Sequence, residues 1–418
     1  MSVSSTRSWA AWIVATMFYL YELILRVAPS VMTEGLTESF GTTSTTLGVL
    51  VSCYYYSYTI LQLPCGIMLD KLGPRNLIGL SALLCVSGTA AVSWANDIGT
   101  AQIGRFVIGA GSACAFIGCL QIIADMFPKG YFVILAGITN MMGTVGGLLG
   151  GYPVATSVNS IGWRSTMHNL AWLGVIITVL AFIFIPNARG RNQGSTSTNT
   201  RERSFITDIA SLIKNGQVVL SSIISGFMYL AISAFAELWV VPFFMVKYGI
   251  NNERASWAAA SVFAGVAIGS IIIALQARKL RSYVRVIRGY SLGTAILFFC
   301  LILITPQFYQ ALLCVFGIGF MTGAQVINFT CAKNNTSPEI AGTTVAFANC
   351  IVMLIGSIFQ PTVGIILDRF WNNTIGEGGV RVYDIACYNK ALLVIPAFMI
   401  VACIMSCFLK ETIHLERE

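Results

Sequence analysis

The chain has 418 residues, of which 56% are hydrophobic and 10% charged, and its mean hydropathy is +0.77. A soluble globular protein carries about a quarter charged residues because its surface must be wet. A water-covered globule is therefore excluded, and so are a disordered chain, which needs low hydrophobicity, and a short disulfide scaffold.

A helix that crosses a bilayer needs about 20 mostly apolar residues. In chain order, windows of that kind fall at 9–31, 46–69, 76–94, 101–124, 131–157, 166–186, 217–246, 256–277, 287–305, 308–332, 341–367 and 389–410. Gly and Pro recur inside them, as helices in lipid tolerate. No segment alternates with the two-residue period of barrel strands. The expectation is an all-α membrane protein with twelve transmembrane helices. The first window is longer than a signal-peptide core, so it reads as a retained helix.

The longest polar stretch, Asn187–Ser204, separates six windows from six. Its Arg, Asn, Ser, Thr and Gly content is that of a flexible linker. The expected division is a first six-helix half over 1–186, a cytoplasmic linker over 187–208 and a second half over 209–418. A weak repeat supports two pseudo-symmetric halves: Glu22-Leu23 recurs as Glu237-Leu238, Pro29 as Pro242, Gly109 and Gly111 as Gly317 and Gly319, and Asn140 as Asn349. Every offset is close to half the chain length. Parallel six-plus-six halves are one architecture of secondary transporters.

Lys and Arg set the orientation. With the N-terminus inside, the inner side holds Lys71 and Arg75, Lys129, the linker arginines, Arg278, Lys279, Arg281, Arg285 and Arg288, and Lys333. The outer side holds few, and both termini become cytoplasmic. The net charge of +8 is thus topology, and no nucleic-acid partner is expected. The 12 cysteines are scattered without a C-x-x-C pair and read as small apolar packing residues. Two histidines and no H-E-x-x-H leave no basis for a metal, and no Walker-type phosphate loop is present. No cofactor and no enzyme chemistry are expected.

Ionisable residues deep in a bilayer are costly and are functional candidates by default. Glu22, Arg26, Arg105 and Glu237 lie inside the windows. Glu22 and Arg26 are four apart, hence on one helix face. Glu237 has Ser233 and Val241 at the same spacing and must find its partners on other helices. Its carboxylate is the candidate proton carrier. Asn140, Gln325, Asn328, Asn349 and Gln360 lie at matching depth and could complete a substrate site, although inter-helix hydrogen bonding is the commoner use of such residues. Tyr54, Tyr55, Tyr56 and Tyr58 are read as interfacial or packing aromatics.

Between the second and third windows, Gly66-Ile-Met-Leu-Asp70-Lys71-Leu-Gly73-Pro74-Arg75 closely resembles the G-x-x-x-D-[RK]-x-G-[RP]-[RK] signature of the major facilitator superfamily. Arg105-Phe-Val-Ile-Gly109-Ala-Gly111 is similar to that family's fourth-helix element, and Gly162-Trp163-Arg164 is also common there. The resemblance covers essentially the whole chain. It implies a cytoplasmic conformational latch of Gly66, Asp70, Lys71, Gly73 and Arg75, with Asp125 nearby. The second-half counterpart, Gln276-Ala277-Arg278-Lys279, has Ala277 where the acidic residue would stand.

A narrower likeness, carried by Tyr21-Glu22-Leu-Ile-Leu-Arg26-Val-Ala-Pro29-Ser30-Val31-Met32 and by Gln360-Pro361-x-x-Gly364-x-x-x-Asp368, is to the phagosomal-transporter-like nutrient carriers of intracellular gamma-proteobacteria. Drug/proton antiporters of the superfamily carry G-x-x-x-G-P-x-x-G-G in the fifth helix, where this chain has no proline until Pro153. The resemblance therefore implies a secondary transporter of the inner membrane, working by alternating access as a monomer. It implies proton-coupled uptake of a small polar metabolite, an amino acid or short peptide first. The alternatives are a siderophore, a nucleoside, a sugar or organic acid, or a uniporter without proton coupling.

Overall fold

A computed structural model of the chain describes residues 6–186, 207–304, 306–337, 340–376 and 380–412. The expected linker at 187–208 lies outside them except for Thr207 and Asp208. The chain divides into two compact units, Met1–Gln193 with Asn252–Ser256, and Gly194–Asn251 with Trp257–Glu418.

In the first unit, α1 (Thr6–Val27) runs into one turn of 3-10 helix at Ala28–Val31, followed by α2 (Thr33–Phe40), α3 (Ser44–Gln62), α4 (Cys65–Trp94), α5 (Ile98–Ser112), α6 (Ala115–Met126) and α7 (Phe132–Phe184). In the second unit, α8 (Gly216–Leu230) passes into a π-helix at Ala231–Trp239 and then α9 (Val240–Tyr248). After α10 (Asn252–Leu280) come α11 (Tyr283–Leu303), α12 (Phe308–Thr322), α13 (Gln325–Asn334), α14 (Ala341–Arg369), α15 (Ile385–Leu392) and α16 (Val394–Met405). The described residues contain no β-strand, only an isolated bridge between Ile375 and Arg381.

All twelve apolar windows are helical. Ten helical segments are long and apolar enough to cross a membrane, and one of them, Ile134–Phe184, is 51 residues long and holds two windows. The window at 46–69 is filled by α3 and the start of α4. Two junctions that look continuous are turned by glycine: Gly73 at φ 74°, ψ 163° and Gly162 at φ 80°, ψ 161°. A side chain with a Cβ rarely adopts that conformation, so the glycine in the signature loop and the glycine of Gly162-Trp163-Arg164 make the same kind of turn.

Several spans are broken midway. α3 stops at Leu63-Pro64, α5 gives way to α6 at Ala113–Cys114, and α12 gives way to α13 at Gly323–Ala324. Such breaks release backbone carbonyls and amides inside a protein where other groups can satisfy them. Cys65 and Cys114, which flank two of the breaks, are joined in a disulfide. That corrects the reading of every cysteine as a packing residue; a separation of 49 residues offered no local signal.

Close approach of helices in the first unit depends on Gly109. A Cβ there would overlap the Tyr54 carbonyl oxygen and Ser57 Oγ on α3. Ser57 Oγ in turn donates to the Phe106 carbonyl. The second unit repeats the device at Gly319, whose Cβ would overlap the Val262 carbonyl on α10.

Candidate functional site

Four charged side chains are buried among the described residues: Glu22, Arg26, Arg105 and Glu237, at 1, 6, 2 and 1% relative exposure. These are the four singled out from the sequence. Three of them meet in the first unit.

Helix α1 puts Glu22 and Arg26 one turn apart on the same face. Arg26 points among tyrosines of α3, its Cζ lying 5.1 Å from the ring centroid of Tyr54, 5.2 Å from Tyr55 and 5.1 Å from Tyr58. Arg105, from α5, approaches Tyr54 as well, at 5.2 Å. Cation–π attraction of a desolvated guanidinium is worth about 2 kcal/mol or more, and here one ring serves two cations. The Tyr54 hydroxyl donates to Glu22 Oε2 at 2.7 Å. Tyr54 thus joins all three charges.

Arg105 turns inward to the backbone of α1. Its Nη1 donates to the Leu25 carbonyl at 2.8 Å. In a continuing α-helix that carbonyl would accept the N–H of residue 29, but residue 29 is proline and has none. The proline opens an acceptor in α1, and Arg105 fills it. Pro29, Gly109 and Arg105 are therefore one local design: the glycine lets α3 and α5 approach, and the proline frees the carbonyl that fixes the guanidinium.

The tyrosines are where sequence reasoning fell short. Tyr54 and Tyr55 are fully buried and Tyr58 nearly so, and all three surround Arg26 rather than forming a belt. Adjacent residues on a helix face different directions, but a guanidinium set between them is within reach of both rings. The four-residue spacing of Tyr54 and Tyr58, which stack at 5.8 Å, was the available signal. Asn140 is exposed on α7 and stands apart from this cluster.

The second unit has a different chemistry. Glu237 lies on the π-helix Ala231–Trp239. Gln360 of α14 donates from Nε2 to the Ser233 carbonyl at 2.7 Å, and its own carbonyl accepts Trp239 Nε1 at 3.1 Å. At the break between α12 and α13, Ser225 Oγ lies 3.2 Å from both the carbonyl and Oε1 of Gln325. Asn328 Nδ2 donates to the Gln325 carbonyl at 3.3 Å and approaches Met228 Sδ at 3.6 Å. Asn328 is fully buried, and its Oδ1 has no hydrogen-bond partner. The structure therefore gathers Gln325 with Asn328, and Gln360 with the Glu237 helix. Asn349 is half-buried on α14 and belongs to neither group.

Of the expected latch, Gly73 makes the turn described above, while Gly66 sits on an exposed stretch where a Cβ would meet nothing within 4 Å. Asp125 accepts from Gln121 Nε2, at 3.0 and 3.1 Å to its two oxygens. Arg75 is half-buried. The side chains of Asp70 and Lys71 lie outside the described residues.

The profile of the Major Facilitator Superfamily matches residues 9–370. The chain belongs to that superfamily. Its members are membrane transporters, not enzymes, and act on small molecules. The chain is 24% identical over 311 residues to the uncharacterized transporter YybO of Bacillus subtilis, covering 69% of this chain and 71% of that one. It is 26% identical to the probable sulfoacetate transporter SauU of Cupriavidus necator over 46% of this chain and 45% of that one. A probable L-galactonate transporter of Escherichia coli is 24% identical over 59% of this chain and 56% of its own length. The chain thus spans about half the length of the last two. Among solved structures, a bacterial homologue of the human lysosomal transporter Spinster, inward-facing and unoccupied, matches with a TM-score of 0.79 at 16% identity over 97% of both chains. A D-xylose–proton symporter matches with a TM-score of 0.76 at 16% identity, over 97% of this chain and 98% of that one. These two likenesses show that this superfamily chain has the superfamily fold.

Proposed function

We propose that this transporter takes up a small organic anion, a sugar acid or a comparable carboxylate or sulfonate, by proton-coupled alternating access. Arg26 and Arg105 receive the anion, and Glu237 carries the proton. The carrying observation is the charge of the buried cluster in the first unit, where two guanidiniums stand with one carboxylate. Two guanidiniums beside one carboxylate make an electropositive setting, and an anionic substrate is the ligand that such a setting favours. A planar guanidinium is the side chain best matched to a carboxylate or sulfonate.

The probable substrates of two relatives, sulfoacetate and L-galactonate, are both organic anions. The amino-acid or peptide expectation has no counterpart among them. A zwitterion would also need an acidic partner for its amine, and the Glu22 carboxylate already accepts the Tyr54 hydroxyl. The organic-acid alternative is therefore the stronger reading. In the second unit, the acceptor Asn328 Oδ1 and the Gln325 amide are groups that bind substrate hydroxyls. A buried carboxylate such as Glu237 changes proton affinity when its surroundings change, which is the property a coupling residue needs. The absent antiporter proline favours uptake, bacterial relatives favour an inner membrane, and the Lys/Arg pattern favours both termini being cytoplasmic.

The test is proton entry into proteoliposomes loaded with a pH dye, with sugar acids, sulfonates, amino acids, dipeptides and neutral sugars added outside. The expected result is a signal for the organic acids that is lost in Glu237→Gln, while counterflow, which needs no ion gradient, persists in that variant. A signal for amino acids alone overturns the substrate reading. Counterflow of organic acids without proton entry in the wild type leaves a uniporter.

A further inference from the structure

We propose that Gln360 is the positioning residue of Glu237: through its amide and its carbonyl it holds open the wide turn of Ala231–Trp239 on which that carboxylate stands. The proposal deepens the proton-carrier reading above, on which its functional arm rests.

A π-helix is rare and occurs mostly as a single-turn bulge, so a run of nine residues needs a cause. One cause lies downstream. Pro242, in α9, cannot donate to the Leu238 carbonyl one turn earlier, and its ring crowds that carbonyl in the α register. The wide register is present just before it, where the Val240 N–H reaches the Phe235 carbonyl, five residues back.

The second cause is Gln360. Its Nε2 donates to the Ser233 carbonyl at 2.7 Å. In an α-helix that carbonyl would be occupied by the N–H of Glu237 itself, so an outside donor there supports the register in which Glu237 is displaced. The main-chain carbonyl of Gln360 accepts Trp239 Nε1 at 3.1 Å, at the last residue of the wide segment. One residue of α14 thus holds the wide segment at two points, through its side chain at Ser233 and through its backbone at Trp239. Ser233 adds a third tie, its Oγ donating to the Tyr229 carbonyl at 3.2 Å. Gln360 and Ser233 are fully buried and Trp239 almost so, so water does not compete for these bonds.

If the ties are cut and one wide turn closes to the α register, the following residues rotate by about 100°, the angular step of one residue. Glu237 then presents its carboxyl in another direction. Gln360, a candidate substrate contact in the sequence, thereby gains a positioning role toward the carboxylate.

The experiment uses the full chain in proteoliposomes and a carbodiimide that reacts with buried, protonated carboxyls, with the labelling of individual residues followed by mass spectrometry. Glu22 in the other unit is the internal control. Gln360→Met keeps the side-chain volume and removes the donor; Trp239→Phe removes the other tie by a different route. The expected result is a change of about fivefold or more in the labelling rate of Glu237 in each variant, with that of Glu22 within about twofold of wild type, the size of a modest population shift. Proton-driven uptake of a sugar-acid probe falls, while the KM of counterflow is unchanged. Unaltered labelling of Glu237, or equal changes at Glu22 and Glu237, overturns the proposal, the second outcome marking a general loosening. If the wild type shows no proton coupling, the functional reading fails, and the labelling still decides whether Gln360 positions Glu237.

Discussion

The two units share a plan and differ in what they bury. The first concentrates two arginines and a glutamate around one tyrosine, with no π-helix among its described residues. The second buries, among its described residues, a single glutamate on a widened helix whose Ser233 carbonyl and Trp239 indole are tied to Gln360. Each uses a glycine to bring the fourth helix of its half against the second, Gly109 in one and Gly319 in the other. The scaffold is therefore repeated while the buried chemistry differs: clustered charge in one unit, a widened helix in the other. The proposed anion site uses the first and the proposed proton carrier the second.

The largest expected effect breaks this division at its charged end. Arg105→Gln removes a cation from a buried cluster and leaves the Leu25 carbonyl with a weaker donor. Loss of a charged hydrogen-bonding group costs roughly 3 kcal/mol, so kcat/KM for an organic acid falls about 100-fold or more. The same comparison in the second unit, Gln325→Ala, removes a neutral amide and costs about tenfold or less. Equal losses in uptake assays would show that the division of labour is wrong.

Gly109→Ala attacks the scaffold rather than the chemistry. Its Cβ would overlap the Tyr54 carbonyl and Ser57 Oγ, both on a helix that cannot simply rotate away. Overpacking of this kind costs about 1–3 kcal/mol. It also separates Tyr54 from Arg105, so transport and detergent stability should fall together. Loss of stability with full transport by the surviving fraction would detach the glycine from the site.

Much of this was written in the sequence and some of it could not be. The spans and the four buried charges follow from hydropathy, because an ionisable residue in a 20-residue apolar run has few reasons to be there. The tie between Arg105 and Pro29 could not be read, since a missing N–H at one position and a guanidinium 76 residues later are linked only when the helices pack. The tyrosine cage was hidden for the opposite reason: four tyrosines within five positions look like composition, and only the location of Arg26 selects three of them. The widened turn was invisible too, because a π-helix has no period in the apolar pattern distinct from a slightly irregular α-helix. Cys65 and Cys114 gave no sign of pairing for the same reason of distance along the chain.

Tyr54→Phe sharpens the first unit alone. The ring stays, so both cation–π contacts persist, and only the hydroxyl bond to Glu22 is lost. A net hydrogen bond to a charged group is worth about 1.5–3 kcal/mol, and less where water enters. A fall of about tenfold in uptake is expected, with Tyr54→Leu much worse because it removes the rings' attraction as well. If the two variants were alike, the hydroxyl rather than the ring would be holding the cluster.

The smallest effects lie outside the spans, where the two units are built alike. Asp97 caps α5 and Asp384 caps α15. Asp97 Oδ2 accepts the Thr100 hydroxyl at 2.7 Å and Oδ1 the Thr100 N–H at 3.0 Å. Asp384 Oδ1 accepts the Cys387 N–H at 2.8 Å, and Oδ2 accepts Asn372 Nδ2 at 3.1 Å. The Thr100 hydroxyl holds the Asp97 carboxyl below the usual aspartate range, and the Cys387 N–H does the same for Asp384. A carboxylate with a depressed folded-state value stabilises the fold above the unfolded aspartate value of about 3.9 and loses that contribution as the pH falls through the folded value. Asp97→Ala and Asp384→Ala should therefore lower the melting temperature slightly at neutral pH, and the difference from wild type should shrink toward pH 3. Asp384→Ala should show the larger shift, because it releases Asn372, 12 residues away in the chain, whereas both bonds of Asp97 stay within one turn at Thr100. A difference that persists undiminished in acid would mean that the cap acts through shape and not through charge. These caps would then carry no information about the proton-carrier role proposed for Glu237 and the turn on which it stands.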